Sequence, residues 1–236
     1  MKRTMVIAMV LGLLIVLFVG CVPQEKPETE EPMVTTISEV IQMIEDNGWI
    51  VSSNTPPAEA QLVHIKGIVT YNYDYYAYVV DQEENAGIKL YADGGSFSGD
   101  DIEYHLIDAT GVAYARDYGD AKEYRLYLKS DVEGATFTIH EATSTLHDVE
   151  VLPAGSELTL DLYGKYVTLE NAVYLGTDSY DNYLFDNGGE TITVYKYSDV
   201  PGDLATDSTY TISGVVGQNY GYILFIWDES LVTPSE

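Results

Sequence analysis

The sequence predicts an all-β fold built from two tandem copies of one small domain, preceded by a short helix. Three observations carry this expectation. Short runs rich in β-branched and aromatic residues succeed one another along most of the chain, separated by Gly, Asp and Asn clusters. Helical spacing occurs once, near residue 40. The second half repeats the order of the first.

The elements follow in chain order. Met1, Lys2 and Arg3 precede an apolar run from Met5 to Val19 that stops at Gly20-Cys21. A basic start, an apolar stretch of about 15 residues and a small residue before the cut have the form of an export signal, and fall short of the roughly 20 residues of a membrane span. Phe18-Val19-Gly20-Cys21 resembles the lipobox of bacterial lipoproteins. That resemblance implies a signal peptide over 1–20, acylation of Cys21 and a lipid anchor in the cell membrane or outer membrane. The alternative is an uncleaved N-terminal anchor, which also places the body of the chain on the exported side.

Residues 21–36 are rich in Pro and Glu and poor in large apolar side chains, so they are expected to form a flexible, disordered tether. Ser38 stands before Val40, Ile41, Ile44 and Trp49 at helical spacing. It reads as the N-cap of a helix over 38–47, with Gly48 as its stop.

Strands are expected at His64–Tyr71, Tyr76–Val80, Gly87–Tyr91, Tyr104–Ala109 and Tyr124–Leu128. The repeat then becomes visible. Tyr78-Val79-Val80-Asp81 followed by Gly87–Tyr91 matches Tyr183-Leu184-Phe185-Asp186 followed by Thr191–Tyr195. Ala109-Thr110-Gly111-Val112 matches Ile212-Ser213-Gly214-Val215, each copy has a Gly-Asp pair upstream, and each closes on an aromatic strand. The copies span 37–139 and 145–232.

A strand ending in Gly67-Ile68-Val69-Thr70, a Tyr-x-Val-Asp strand, a Gly-Ile-x-Leu-Tyr strand, a Gly-Asp turn and a Thr-Gly-Val strand together resemble the bacterial exported OB-fold family. Its members accompany surface lipoproteins and extracellular endonucleases. The likeness covers nearly all of the chain after the tether. It implies two tandem OB-like five-stranded Greek-key barrels, whose usual ligand face lies on the second and third strands with two flanking loops. Copy two departs from the pattern at Asn171-Ala172-Val173.

On that face the first copy places Tyr71, Tyr73, Tyr75, Tyr76, Tyr78, Lys89 and Tyr91, with Asn72 and Asp74 at the rim. Tyrosine pairs a flat apolar ring with a hydroxyl tip, which suits stacking on sugars or bases. These residues are the expected ligand-binding set, and changing Tyr73 and Tyr76 to Ala is expected to abolish binding with little loss of fold. The competing reading is that tyrosines simply pair across strands. A thinner version in copy two comprises Tyr174, Tyr180, Asn182, Tyr183, Tyr195 and Tyr197.

Charge narrows the partners. The formal net charge is -27, and loss of Lys2 and Arg3 with the signal peptide leaves -29. A chain this acidic repels nucleic-acid phosphates. Lys66 and Lys89 sit among acids, and only Lys122, Arg125 and Lys129 approach a basic cluster.

Acidic turns occur at Asp81, Glu83, Glu84 and Asn85, at Asp100, Asp101 and Glu103, and at Asp178, Asp181, Asp186, Asn187 and Glu190. None has the spacing of a calcium loop, so no metal or other cofactor is expected. His64, His105, His140 and His147 form no metalloprotease motif, and Gly94–Gly99 is not a nucleophile elbow. With Cys21 spent on lipid no thiol remains, so no catalytic residue is assigned.

The expected function is a lipid-anchored, non-catalytic envelope module that binds a glycan, peptide or protein. An accessory role in extracellular nucleic-acid processing is the alternative.

Overall fold

Alternating apolar residues with β-branched and aromatic neighbours form strands because each buries one face while the other is free to pair or pack. The computed structural model describes residues 34–81, 86–98, 102–119, 121–143, 149–196 and 202–235. The signal peptide, Cys21 and most of the tether lie outside these. The last tether residues are tied down: Val34 bridges to His64, and Thr35 N donates to the His64 carbonyl at 2.8 Å.

Helix α1 spans Ile37–Asn47. Its N-cap is Thr36 and not Ser38. Glu39 stands three residues after Thr36, and the two side chains exchange hydrogen bonds with each other's backbone in a capping box that Ser38 has no glutamate to complete. Gly48 ends the helix at φ 65°, a left-handed conformation that glycine adopts at little cost. Ile37, Val40 and Ile44 face the core, and Asp81 Oδ2 accepts from Ile37 N at 3.3 Å.

The first half carries β1 (Ile50–Val51), β2 (Leu62–Tyr73), β3 (Tyr76–Val80), β4 (Gly87–Tyr91), β5 (His105–Asp117), β6 (Lys122–Tyr127) and β7 (Thr136–Ala142). β2 lies antiparallel to β3 and β5, β3 to β4, and β5 to β6, while β4 runs parallel to β6. β7 and β1 add to β5. The expected strand at 104–109 therefore extends to Asp117.

The second half carries β8 (Glu150–Leu152), β9 (Tyr166–Thr177), β10 (Tyr183–Asn187), β11 (Glu190–Lys196), β12 (Thr209–Gln218), β13 (Tyr222–Ile226) and β14 (Val232–Pro234). Five of these close into a barrel: β9 pairs β10, β10 pairs β11, β11 runs parallel to β13, β13 pairs β12, and β12 returns to β9. β9 passes through Asn171-Ala172-Val173 with Asn171 at φ 56°, where its register with β12 shifts.

The repeated Thr-Gly-Val and Ser-Gly-Val segments have a common cause. A Cβ on Gly111 would come within 2.6 Å of the Tyr127 carbonyl, and one on Gly214 would overlap the Phe225 carbonyl. Only glycine lets the long strand cross so close to the final one.

Each half has its own core, around Ile65, Leu90, Ile107 and Leu126 in the first and Leu169, Phe185, Val194 and Leu224 in the second. A third cluster lies between the halves, where Tyr71, Tyr76 and Tyr78 pack against Tyr163, Val215, Ile223 and Phe225. Backbone also meets there. Thr70 Oγ1 donates to the Gly164 carbonyl at 2.6 Å, and a Cβ on Gly87 would overlap the Tyr163 carbonyl.

Candidate functional site

The tyrosines of β2 and β3 are divided by the contact between the halves. Tyr71, Tyr76 and Tyr78 are buried, with Tyr78 fully so. The Tyr78 ring lies 5.5 Å from that of Tyr163 and 5.9 Å from that of Phe225, and Tyr71 lies 4.6 Å from Trp227. The expectation that all five tyrosines form an open ligand face is corrected here, because the second half covers three of them. The expectation for the Tyr73 and Tyr76 substitutions falls with it, since Tyr76 is a packing residue. Tyr73 and Tyr75 remain 45% and 39% exposed, and Tyr91 is half-buried edge-on to Tyr75.

Lys89 is likewise no ligand cation. Its Nζ lies 2.6 Å from Glu123 Oε1 and 4.2 Å above the Tyr76 ring, and burial lowers its pKa despite the glutamate. Burial would raise the Glu123 carboxyl, but Lys89 and Arg125 outweigh it and hold it below the ordinary carboxylate range. Arg125 Nη2 donates to Glu123 Oε2 at 2.5 Å and to the Tyr118 hydroxyl at 3.0 Å, and Nη1 donates to Asn54 Oδ1 at 2.8 Å. Lys122 is bound to Glu45, and Lys129 lies over Tyr91. The basic residues near β6 are thus committed within the chain.

The second half holds an open cleft of about 600 Å³. One wall is the β9–β10 loop, with Asp178, Tyr180 and Asn182. Its floor is the outward side of β11, where Thr193 and Tyr195 alternate with the core residues Ile192 and Val194. The other wall is the β12–β13 turn, Asn219-Tyr220-Gly221, continuing into Tyr222 and Ile223.

Both walls are set by local chemistry. Asp178 Oδ1 accepts from the backbone N–H of Tyr180 at 2.7 Å and of Asn182 at 2.9 Å, while Oδ2 accepts from Asn182 Nδ2 at 2.9 Å. Burial would raise this carboxyl, but those three hydrogen bonds hold it below the usual aspartate range. Opposite, Asn219 N donates to the Gly221 carbonyl at 2.9 Å, and Tyr220 sits at φ 60°, which is costly for a bulky side chain. Tyr180 and Tyr220 are 83% and 80% exposed.

Of the copy-two residues expected to matter, Tyr180, Asn182 and Tyr195 line this cleft. Tyr174 and Tyr183 are buried in the barrel core with rings 5.4 Å apart, and Tyr197 lies outside the described residues. Sequence reasoning passed over Thr193 and the Asn219–Tyr222 turn. The available signal was an Asn-x-Gly turn between two apolar strands with an aromatic at its centre.

The remaining polar groups hold structure. Asp186 and Asn187 bond neighbouring backbone, and Asp81 serves α1. Glu83, Glu84, Asn85, Asp100, Asp101 and His147 lie outside the described residues. Among the described residues no group of three or more His, Cys, Asp or Glu is placed to hold a metal ion, and no helix is long and apolar enough to cross a membrane. Asp108 accepts from His140 Nε2 at 2.7 Å and His64 Nε2 at 3.1 Å, and pairs with Lys66 at 3.2 Å. This cluster joins β2, β5 and β7.

No family model matches the sequence, and no curated protein matches it. Among solved structures, a chain described as "Structural mimicry for functional antagonism" is similar at 12% identity, over 77% of this chain and 98% of that one, with a TM-score of 0.31. A score at that level carries no argument for fold or function.

Proposed function

We propose that this chain is a lipid-anchored, non-catalytic binding protein of the cell envelope, made of two tandem OB-like barrels. In this reading it engages a glycan, peptide or protein in the cleft of the second half. The first-half pairings β5-β2-β3-β4-β6 follow the same order as the closed barrel of the second half, which supports reading both as copies of one fold. The anchor rests on Phe18-Val19-Gly20-Cys21.

The observation that carries the binding role is the position of the cleft. It lies on the third strand of the barrel, between the loop joining the first two strands and the loop joining the last two, where this fold type takes ligands. Its size falls within the roughly 300–1,000 Å³ of small-molecule sites. The nucleic-acid alternative finds no support in the lining, which among the described residues has no Lys or Arg.

The test compares the full chain with Thr193→Trp, which fills the cleft floor, and with a Tyr73→Ala/Tyr75→Ala double variant. All three are titrated with cell-wall glycans, cell-wall peptides and single-stranded DNA. Loss of binding in Thr193→Trp alone supports the cleft; loss in the double variant alone overturns it. Palmitate labelling that disappears in Cys21→Ser tests the anchor.

A further inference from the structure

We infer that the cleft of the second half takes an uncharged oligosaccharide, its sugar rings laid against Tyr180 and Tyr220 and its hydroxyls met by Asn182, Asn219 and Thr193. This inference rests on the proposed binding role of that cleft and adds the ligand class. A sugar ring offers two kinds of surface, a C–H face and a rim of hydroxyls. It is held by flat aromatic rings together with neutral groups that both donate and accept hydrogen bonds. The cleft supplies both kinds.

The rings are presented, not left over. Tyr180 and Tyr220 are the two most exposed large apolar residues among the described residues, and they stand on the two facing loops. Tyr220 holds a left-handed backbone conformation that Gly or Asn would adopt more cheaply, so the turn keeps its ring in place against a local preference. The ring of Tyr118, from the first half, lies edge-on to it at 6.0 Å.

Charge excludes the nearest rivals. Among the described residues no Lys, Arg or His lines the cleft, so none of them neutralises a phosphate or a uronic acid there, and the net charge of the chain repels both. An organic cation would have the tyrosine faces to lie against but, among the described residues, no free carboxylate to pair with. The one in the lining, Asp178, already spends both oxygens on its own loop. The asparagine and threonine side chains would find no role with such a ligand.

The test is electrophoresis of the full chain, in a detergent without sugar, through native gels containing neutral polysaccharides (a β-glucan, a mannan, a dextran) or anionic ones (alginate, hyaluronan). Retardation in a neutral gel is expected, equal at low and high salt, and weakened roughly two- to tenfold in each of Tyr180→Ala and Tyr220→Ala while thermal unfolding stays unchanged. Retardation in no neutral gel, in anionic gels alone, or to the same extent in both variants overturns the inference. Titrating Thr193→Trp with cell-wall peptides separates the two readings. If Thr193→Trp abolishes peptide binding and no neutral gel retards the chain, the cleft stands and the sugar falls; if Thr193→Trp alters no binding at all, both fall.

Discussion

Tyr78, in the middle of β3, and Tyr180, in the β9–β10 loop, are tyrosines whose replacement by alanine is expected to give opposite results. Tyr78 is fully buried, its ring within 6.4 Å of those of Tyr71, Tyr76, Tyr163 and Phe225. Removing a buried aromatic ring costs about 3–5 kcal/mol, because apolar contact is lost and a cavity remains. At about 2–4 °C per kcal/mol for a chain of this size, the melting temperature of Tyr78→Ala should fall by roughly 6–20 °C. Tyr180 is 83% exposed, and Tyr180→Ala should change stability by no more than about 0.5 kcal/mol. Thermal melts followed by near-ultraviolet circular dichroism, with ligand titration of both variants below their transitions, provide the assay. A Tyr78→Ala protein that melts with the wild type would refute the claim that this ring joins the halves. A Tyr180→Ala protein that loses stability would refute the assignment of that ring to the ligand.

Three further outcomes are expected. Gly87→Ala forces a methyl group into the Tyr163 carbonyl, with backbone on both sides unable to yield. It should lower the melting temperature and enlarge the particle in small-angle scattering, and unchanged scattering and melting would contradict the contact. Glu123 and Asp108 both titrate below the ordinary carboxylate range when folded, so the unfolded chain binds more protons in acid. Their contribution to stability is full above about pH 4.5 and is lost as pH falls through the lower folded values, so melting temperature should decline as the solution is acidified below that point; a flat acid profile would count against both ion pairs. Asp178→Ala removes the acceptor for two backbone amides and one side-chain amide. It should speed hydrogen exchange at residues 180–182 and weaken ligand binding, at a cost of about 1 kcal/mol or more in stability.

Local patterns in the sequence carried local structure. Alternation of apolar residues and the Gly, Asp and Asn punctuation located the strands, and the repeated Gly111 and Gly214 marked equivalent crossings. Thr36 and Glu39 also announced the helix start, at a spacing that outweighs the single hydroxyl of Ser38. The site was less legible. Period-two alternation assigns Tyr76 and Tyr78 to faces of a strand but carries no word of what covers that face, and here the cover comes from residues 163 and 215–225. Lys89 gave the same kind of false lead, because its partner Glu123 lies on a distant strand brought alongside by the parallel β4–β6 pairing. The Asn219–Gly221 turn looked like ordinary punctuation. Its importance comes from lying across from the β9–β10 loop, a fact of three dimensions.

The burial of Tyr71, Tyr76 and Tyr78 against the second half also makes the two halves unequal in the surface they present. A duplicated binding domain ordinarily doubles the number of attachment points, and a second event then benefits from the high effective concentration of a linked site. In this chain one copy's face serves as the seat of the other, leaving the cleft between Tyr180 and Tyr220 as the presented one. Under the proposed binding role each chain would then offer one such surface, and multivalent attachment would have to come from several chains together and not from the duplication within one.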